Sequence, residues 1–177
     1  MANIFHNNIP DPQSDLNNEK ANVALGRFMT AWSQIEGMCG FLFCEIAQLD
    51  PKATRIIFDR IGSREQISIL RALVDGIVIA DERDRIADLM DRVEKLSEKR
   101  NKIAHGSWGT YNGESTRFWQ GMTSSNFEDV VMETPKGQSL RVKNLHTITD
   151  LEALIGACVV LRDTLYSELG RIVMRNV

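Results

Sequence analysis

The chain has 177 residues, 43% hydrophobic and 25% charged, with 21 Lys+Arg against 24 Asp+Glu and a formal net charge of −3. That suits one globular domain with its own core and excludes disorder for the bulk of the chain. No run approaches the roughly 18 apolar residues of a membrane span, and a mildly acidic chain is no general coat for nucleic acid, so affinity for polyanions must come from a local patch.

Residues 1–14, with Pro10 and Pro12, read as a flexible N-terminal arm. They show neither the basic nor the apolar segment of a signal peptide. The expectation is a cytoplasmic protein whose Cys39, Cys44 and Cys158 stay reduced. Without a Cys-x-x-Cys pair those thiols give no zinc site.

Residues 15–177 then read as a single domain. A long helix is predicted from Ser14 or Asp15 to Leu49, with Leu25, Met29, Trp32, Ile35, Cys39, Leu42, Ile46 and Leu49 three or four apart. Ten of the fifteen residues from Ile35 to Leu49 are apolar and surround the helix, a pattern that predicts burial on every side. In so short a chain a second copy of the protein supplies the missing cover, so a homodimer is expected.

A short helix is predicted over Pro51–Arg60, stopped by Gly62. Ser63-Arg-Glu-Gln66 has the form of a capping box opening a helix along Ile67, Leu70, Leu73/Val74 and Ile77/Val78. Asp81 is the expected cap of the next helix, which carries Ile86, Leu89, Val93 and Leu96 and ends at His105-Gly106.

The period then changes. Asn112-Gly113 and Thr134-Pro-Lys-Gly137 are turn signals flanked by strand-forming residues. They predict a small antiparallel β meander inserted at about 107–146. A second capping box, Thr149-Asp-Leu-Glu152, is expected to open a last helix along Leu151, Leu154/Ile155, Cys158, Leu161, Leu165, Leu169 and Ile172. The fold class is mainly α: a helical bundle with a β insertion before the last helix.

The segment Glu98-Lys-Arg-Asn-Lys-Ile-Ala-His-Gly-Ser-Trp108 carries the chemistry. The apolar stripe 86, 89, 93, 96 continues to 100 and 103, and position 100 is Arg. An arginine in a seam needs a partner or a water-filled cleft. Asn101 and His105, four apart, share a face at the helix C-terminus, where the dipole favours cations. Lys95, Lys99 and Lys102 make that end locally basic. Helix-dipole compensation, with Arg100 reaching to the surface, explains the same residues without any chemistry.

Arg100-Asn-Lys-Ile-Ala-His105-Gly resembles the Arg-x(4–6)-His motif of the HEPN superfamily (higher eukaryotes and prokaryotes nucleotide-binding domains), in which a polar residue, often Asn, follows the Arg. Ala31-Trp-Ser-Gln-Ile-Glu36 is similar to the first helix of many bacterial HEPN-like proteins, and the likeness spans roughly residues 15–105 and 149–174. The resemblance implies a dimeric helical bundle that brings two Arg/His motifs into one cleft. Many such proteins are metal-independent endoribonucleases, including toxins of toxin–antitoxin and phage-defence systems. Others are non-catalytic modules, antitoxin-like, immunity or RNA- or protein-binding.

Metal-independent RNA cleavage uses the 2′-OH as nucleophile, so no metal or cofactor is implied. His105 is the candidate acid or base, because imidazole ordinarily titrates near pH 6.5. Arg100 offers a planar fork to phosphate oxygens, and Asn101 would orient the histidine or touch a phosphate. Glu36, beside the first-helix stripe, either pairs with Arg100 or is simply solvated. Lys95, Lys99 and Lys102 would line the RNA path. Trp108, with Tyr111, Phe118 and Trp119, would stack on bases or pack into the core. His6 and His146 have no partner at catalytic spacing and read as incidental.

Overall fold

The computed structural model describes residues 19–58, 60–77, 79–111, 114–119, 130–133 and 139–176. The expected arm at 1–14 lies outside them. Within the strands, side chains are described for Ser115, Arg117, His146 and Thr147. The chain is mainly α. Its described elements run α1 (Glu19–Ala47), α2 (Pro51–Phe58), α3 (Ser63–Asp75), α4 (Ala80–Ala104), β1 (Ser107–Tyr111), β2 (Glu114–Trp119), β3 (Val130–Glu133), β4 (Ser139–Thr147) and α5 (Ile148–Asn176). The described residues divide into two compact units, one drawn from the stretches 1–29 and 99–154 and the other from 30–98 and 155–177.

In the second unit, the apolar stripes read from the sequence form the core. Trp32, Ile35, Cys39 and Leu42 of α1 are buried, as are Ile67, Leu70 and Val74 of α3 and Ile86, Leu89, Val93 and Leu96 of α4. Phe43 and Phe58 pack ring on ring, centroids 4.8 Å apart.

Helix ends depart from expectation where a side chain finds a better partner. The first helix stops at Ala47, not Leu49, because Gln48 turns left-handed (φ 51°) and the Leu49 N–H reaches back to the Cys44 carbonyl at 3.1 Å. Asp50 opens α2, its Oδ1 accepting the N–H groups of Lys52 and Ala53. That helix ends at Phe58, two residues early. Gly62, not Ser63, is the N-cap residue of α3, and the Ser63 hydroxyl donates to Glu36 Oε1 at 2.6 Å. The Gln66 amide goes to the carbonyls of Phe58 and Ile61. Asp81 does not cap α4 either. The helix starts a residue earlier, with the Ile79 carbonyl accepting the Arg83 N–H, and Asp81 sits in the first turn.

Two acids that pattern reading leaves at the surface are buried. Glu82 takes Arg175 at 2.6 Å, and Glu168 takes Arg85 at 3.3 Å and also Arg171. On α5 the stripe runs through Cys158, Leu161, Leu165 and Ile172 as expected, but Glu168 occupies the buried place assigned to Leu169. The flexible, polar-tipped arginines reach across to satisfy a carboxylate that would otherwise be costly to bury.

In the first unit, Ala21, Ala24 and Phe28 of α1, Ile103 of α4 and Leu151 of α5 are buried, and Arg27 pairs with Glu152 at 2.7 Å. The strands pair antiparallel in the order β1-β2-β4-β3. A meander would place β3 beside β2. Here nine-residue β4 is long enough to serve both neighbours: Ser139 to Val142 face β3, and Lys143 to Thr147 face β2. The turns Asn112-Gly113 and Thr134–Gly137 lie outside the described residues. The last helix is capped two residues before the expected box, by Thr147 and Asp150. The Asp150 carboxylate accepts from the Thr147 N–H (2.8 Å) and hydroxyl (2.9 Å), while the Asp150 N–H donates to Thr147 Oγ1 (3.1 Å).

Candidate functional site

The candidate site is the C-terminal end of α4, in the first unit. Ile103 is fully buried and fixes which way the last turn faces. Arg100, one turn back on the same seam, is half-buried, and its Nη1 donates to Asn101 Oδ1 at 2.9 Å. Asn101 is exposed and works in two directions. Its side chain orients the guanidinium of Arg100, while its main-chain carbonyl accepts the His105 N–H at 3.1 Å. Asn101, expected to orient the histidine or touch a phosphate, thus has its side-chain oxygen on Arg100 and meets His105 through the main chain. His105 is exposed just past the helix, and the Gly106 N–H closes the end on the Ile103 carbonyl at 3.3 Å.

Lys99 is exposed and Lys102 half-buried on the same end. The cationic rim expected there is formed by these two with Arg100. Lys95 and Glu36 belong to the other unit, Lys95 exposed and Glu36 half-buried with Ser63 on its carboxylate. Trp108 lies in β1 opposite Arg117. The stacking role expected of Trp108, Tyr111, Phe118 and Trp119 concerns side chains outside the described set.

Two residues were not singled out by spacing. Arg117 in β2 is buried, and its guanidinium donates to the carbonyls of Ile103 and, at 3.1 Å, of Ala104, the last two residues of α4. The only trace in the sequence is a lone cation in an otherwise uncharged run, Ser115-Thr-Arg-Phe-Trp119. His146, read as incidental, is the β4 register partner of Arg117, so the two share a sheet face. Its Nε2 is buried without a hydrogen-bond partner. Burial pushes this imidazole below its ordinary value; Asp150 pulls it back up, and Lys99 and Lys102 push it further down.

Among the described residues no group of His, Cys, Asp and Glu forms a metal cluster, and no helix is long and apolar enough to cross a membrane. No known protein family, curated protein or solved structure matches the chain.

Proposed function

We propose that the chain is a HEPN-like, metal-independent endoribonuclease of a toxin–antitoxin or phage-defence system, cutting single-stranded RNA as a homodimer. The observation that carries the reading is the helix end itself. An arginine fork is oriented by Asn101, and an exposed imidazole follows four residues later beside Lys99 and Lys102.

In this reading Arg100 holds the non-bridging oxygens of one phosphodiester and offsets the charge that develops on them. One His105 takes the proton of the 2′-OH as its oxygen attacks phosphorus. The His105 of the second copy gives a proton to the departing 5′-oxygen. The bond broken is P–O5′, the bond formed P–O2′, and the products are a 2′,3′-cyclic phosphate and a 5′-OH. Lys99 and Lys102 supply sequence-independent attraction for neighbouring phosphates.

The test is cleavage of single-stranded RNA in EDTA, with single-stranded DNA left intact because it lacks the nucleophile. His105→Ala is expected to lose roughly 10²–10⁴-fold in rate. Arg100→Ala is expected to be comparably damaged, with little rescue by Arg100→Lys, whose point charge lacks the fork. Cleavage that requires Mg²⁺, or a fully active His105→Ala, overturns the reading. The formal charge of −3 then favours the second one, a non-catalytic dimeric module of the same fold that binds a protein.

A further inference from the structure

The last carbonyls of a helix have no donors within it. In α4 the last two carbonyls, of Ile103 and Ala104, stand just before His105, and Arg117 donates to both, joining the Gly106 N–H on the first. A buried guanidinium is costly unless its donors are used. Here they are used on the negative end of a helix dipole, where a cation is favoured. The strand that carries Arg117 has a partner on either side, with Trp108 of β1 and His146 of β4 opposite Arg117 in register. The guanidinium therefore comes from a strand paired on both sides and not from a loop tip, although the β2–β4 register shifts just after it, between Arg117 and Trp119.

We propose that Arg117 is a positioning residue for the Arg100–His105 site: it clamps the last two carbonyls of α4 and so fixes where His105 leaves the helix. This gives the β segment its work, since β2 brings the clamp and β1 and β4 hold β2 in place. The catalytic consequence rests on the ribonuclease reading; the clamp itself does not. A displacement of about 1 Å in a catalytic group can cost about 10²-fold in rate. A lysine in its place brings a compact charge that cannot span two carbonyls as a planar fork does.

The experiment combines amide hydrogen exchange at His105 and Gly106 with steady-state cleavage of single-stranded RNA in EDTA, for wild type, Arg117→Met and Arg117→Lys. In Arg117→Met, with circular dichroism and mass unchanged, both amides should exchange about tenfold faster as the last turn opens. Its kcat should fall about 10²-fold with KM within about twofold, and Arg117→Lys should lie between. Unchanged exchange in a folded Arg117→Met overturns the clamp, and wild-type kcat where exchange has quickened overturns its positioning role for the site. Should Arg117→Met fail to fold, Arg117→Lys decides in the same way: faster exchange supports the clamp and unchanged exchange refutes it. If the wild type cuts no RNA, the ribonuclease reading falls and the exchange rates alone decide the clamp.

Discussion

A single imidazole shows how this chain spends burial. His146 sits beside Arg117 in register with its Nε2 sealed from solvent, and burial lowers its pKa below the ordinary 6.5. The groups facing it divide: Asp150, at the start of α5, favours the charged form, while Lys99 and Lys102, at the end of α4, oppose it. The sign follows. Below about pH 6.5 the unfolded chain binds a proton at this residue before the folded chain does, so stability falls as pH falls through that range. Above it the folded state carries no penalty. Thermal melts from pH 8 to 5.5 should therefore show a steeper loss for wild type than for His146→Gln; parallel curves would refute this. The thiols behave as core fillers by the same logic. Burial pushes Cys39 up to about 12 and Cys158 up to about 11, so neither supplies a thiolate nucleophile near neutral pH.

Among elements, the ends taught more than the middles. Thr147 and Asp150 exchange side-chain and main-chain hydrogen bonds at the start of α5, whereas Thr149 is an exposed residue in the first turn. Thr147→Ala should cost roughly 1 kcal/mol in urea unfolding, and Thr149→Ala only a few tenths at an exposed site. Equal costs would mean that the cap is not where the hydrogen bonds place it. The stripes of α1, α3, α4 and α5 were legible because large apolar residues three or four apart have one place to go. Arg100 was legible as the polar break in such a stripe. Caps were not, because Ser63 and Thr149 fit the capping pattern as well as Thr147 does, and only tertiary partners such as Glu36 settle which hydroxyl caps. Glu82, Glu168 and Arg117 were hidden for a related reason. Glu82 and Glu168 have arginine partners 93 and 83 residues away, and the partners of Arg117, 14 and 13 residues back, are main-chain carbonyls that no residue pattern marks. The pairing of β2 with β4 was equally hidden, since it turns on the length of β4 and not on turn residues.

For the whole molecule the question is what covers the apolar side chains that one chain leaves in water. On α5, Val159, Tyr166 and Val173 recur at seven-residue spacing, with Val160 and Met174 beside them; Tyr166 is 69% exposed and Met174 82%. On α1, Phe41 is 58% exposed in the stretch whose all-round apolar pattern asked for a second copy. Fully burying a Phe side chain gains roughly 1.5–3 kcal/mol, and the exposed share of that gain at such residues is the driving force a dimer would recover. The mechanism proposed above needs the same dimer, because base and acid are the His105 side chains of two copies. Light scattering should therefore give about 40 kDa, twice the 20.0 kDa chain, at micromolar concentration. Tyr166→Glu and Phe41→Glu place a charge in the proposed interface, where an unpaired one is not tolerated, and at least one should return a folded 20 kDa monomer. That monomer should have lost RNA cleavage while keeping Arg100 and His105 intact, since one phosphodiester would no longer meet two imidazoles. A wild type that stays at 20 kDa and still cuts RNA would refute the two-chain mechanism, leaving a single His105 with some other acid.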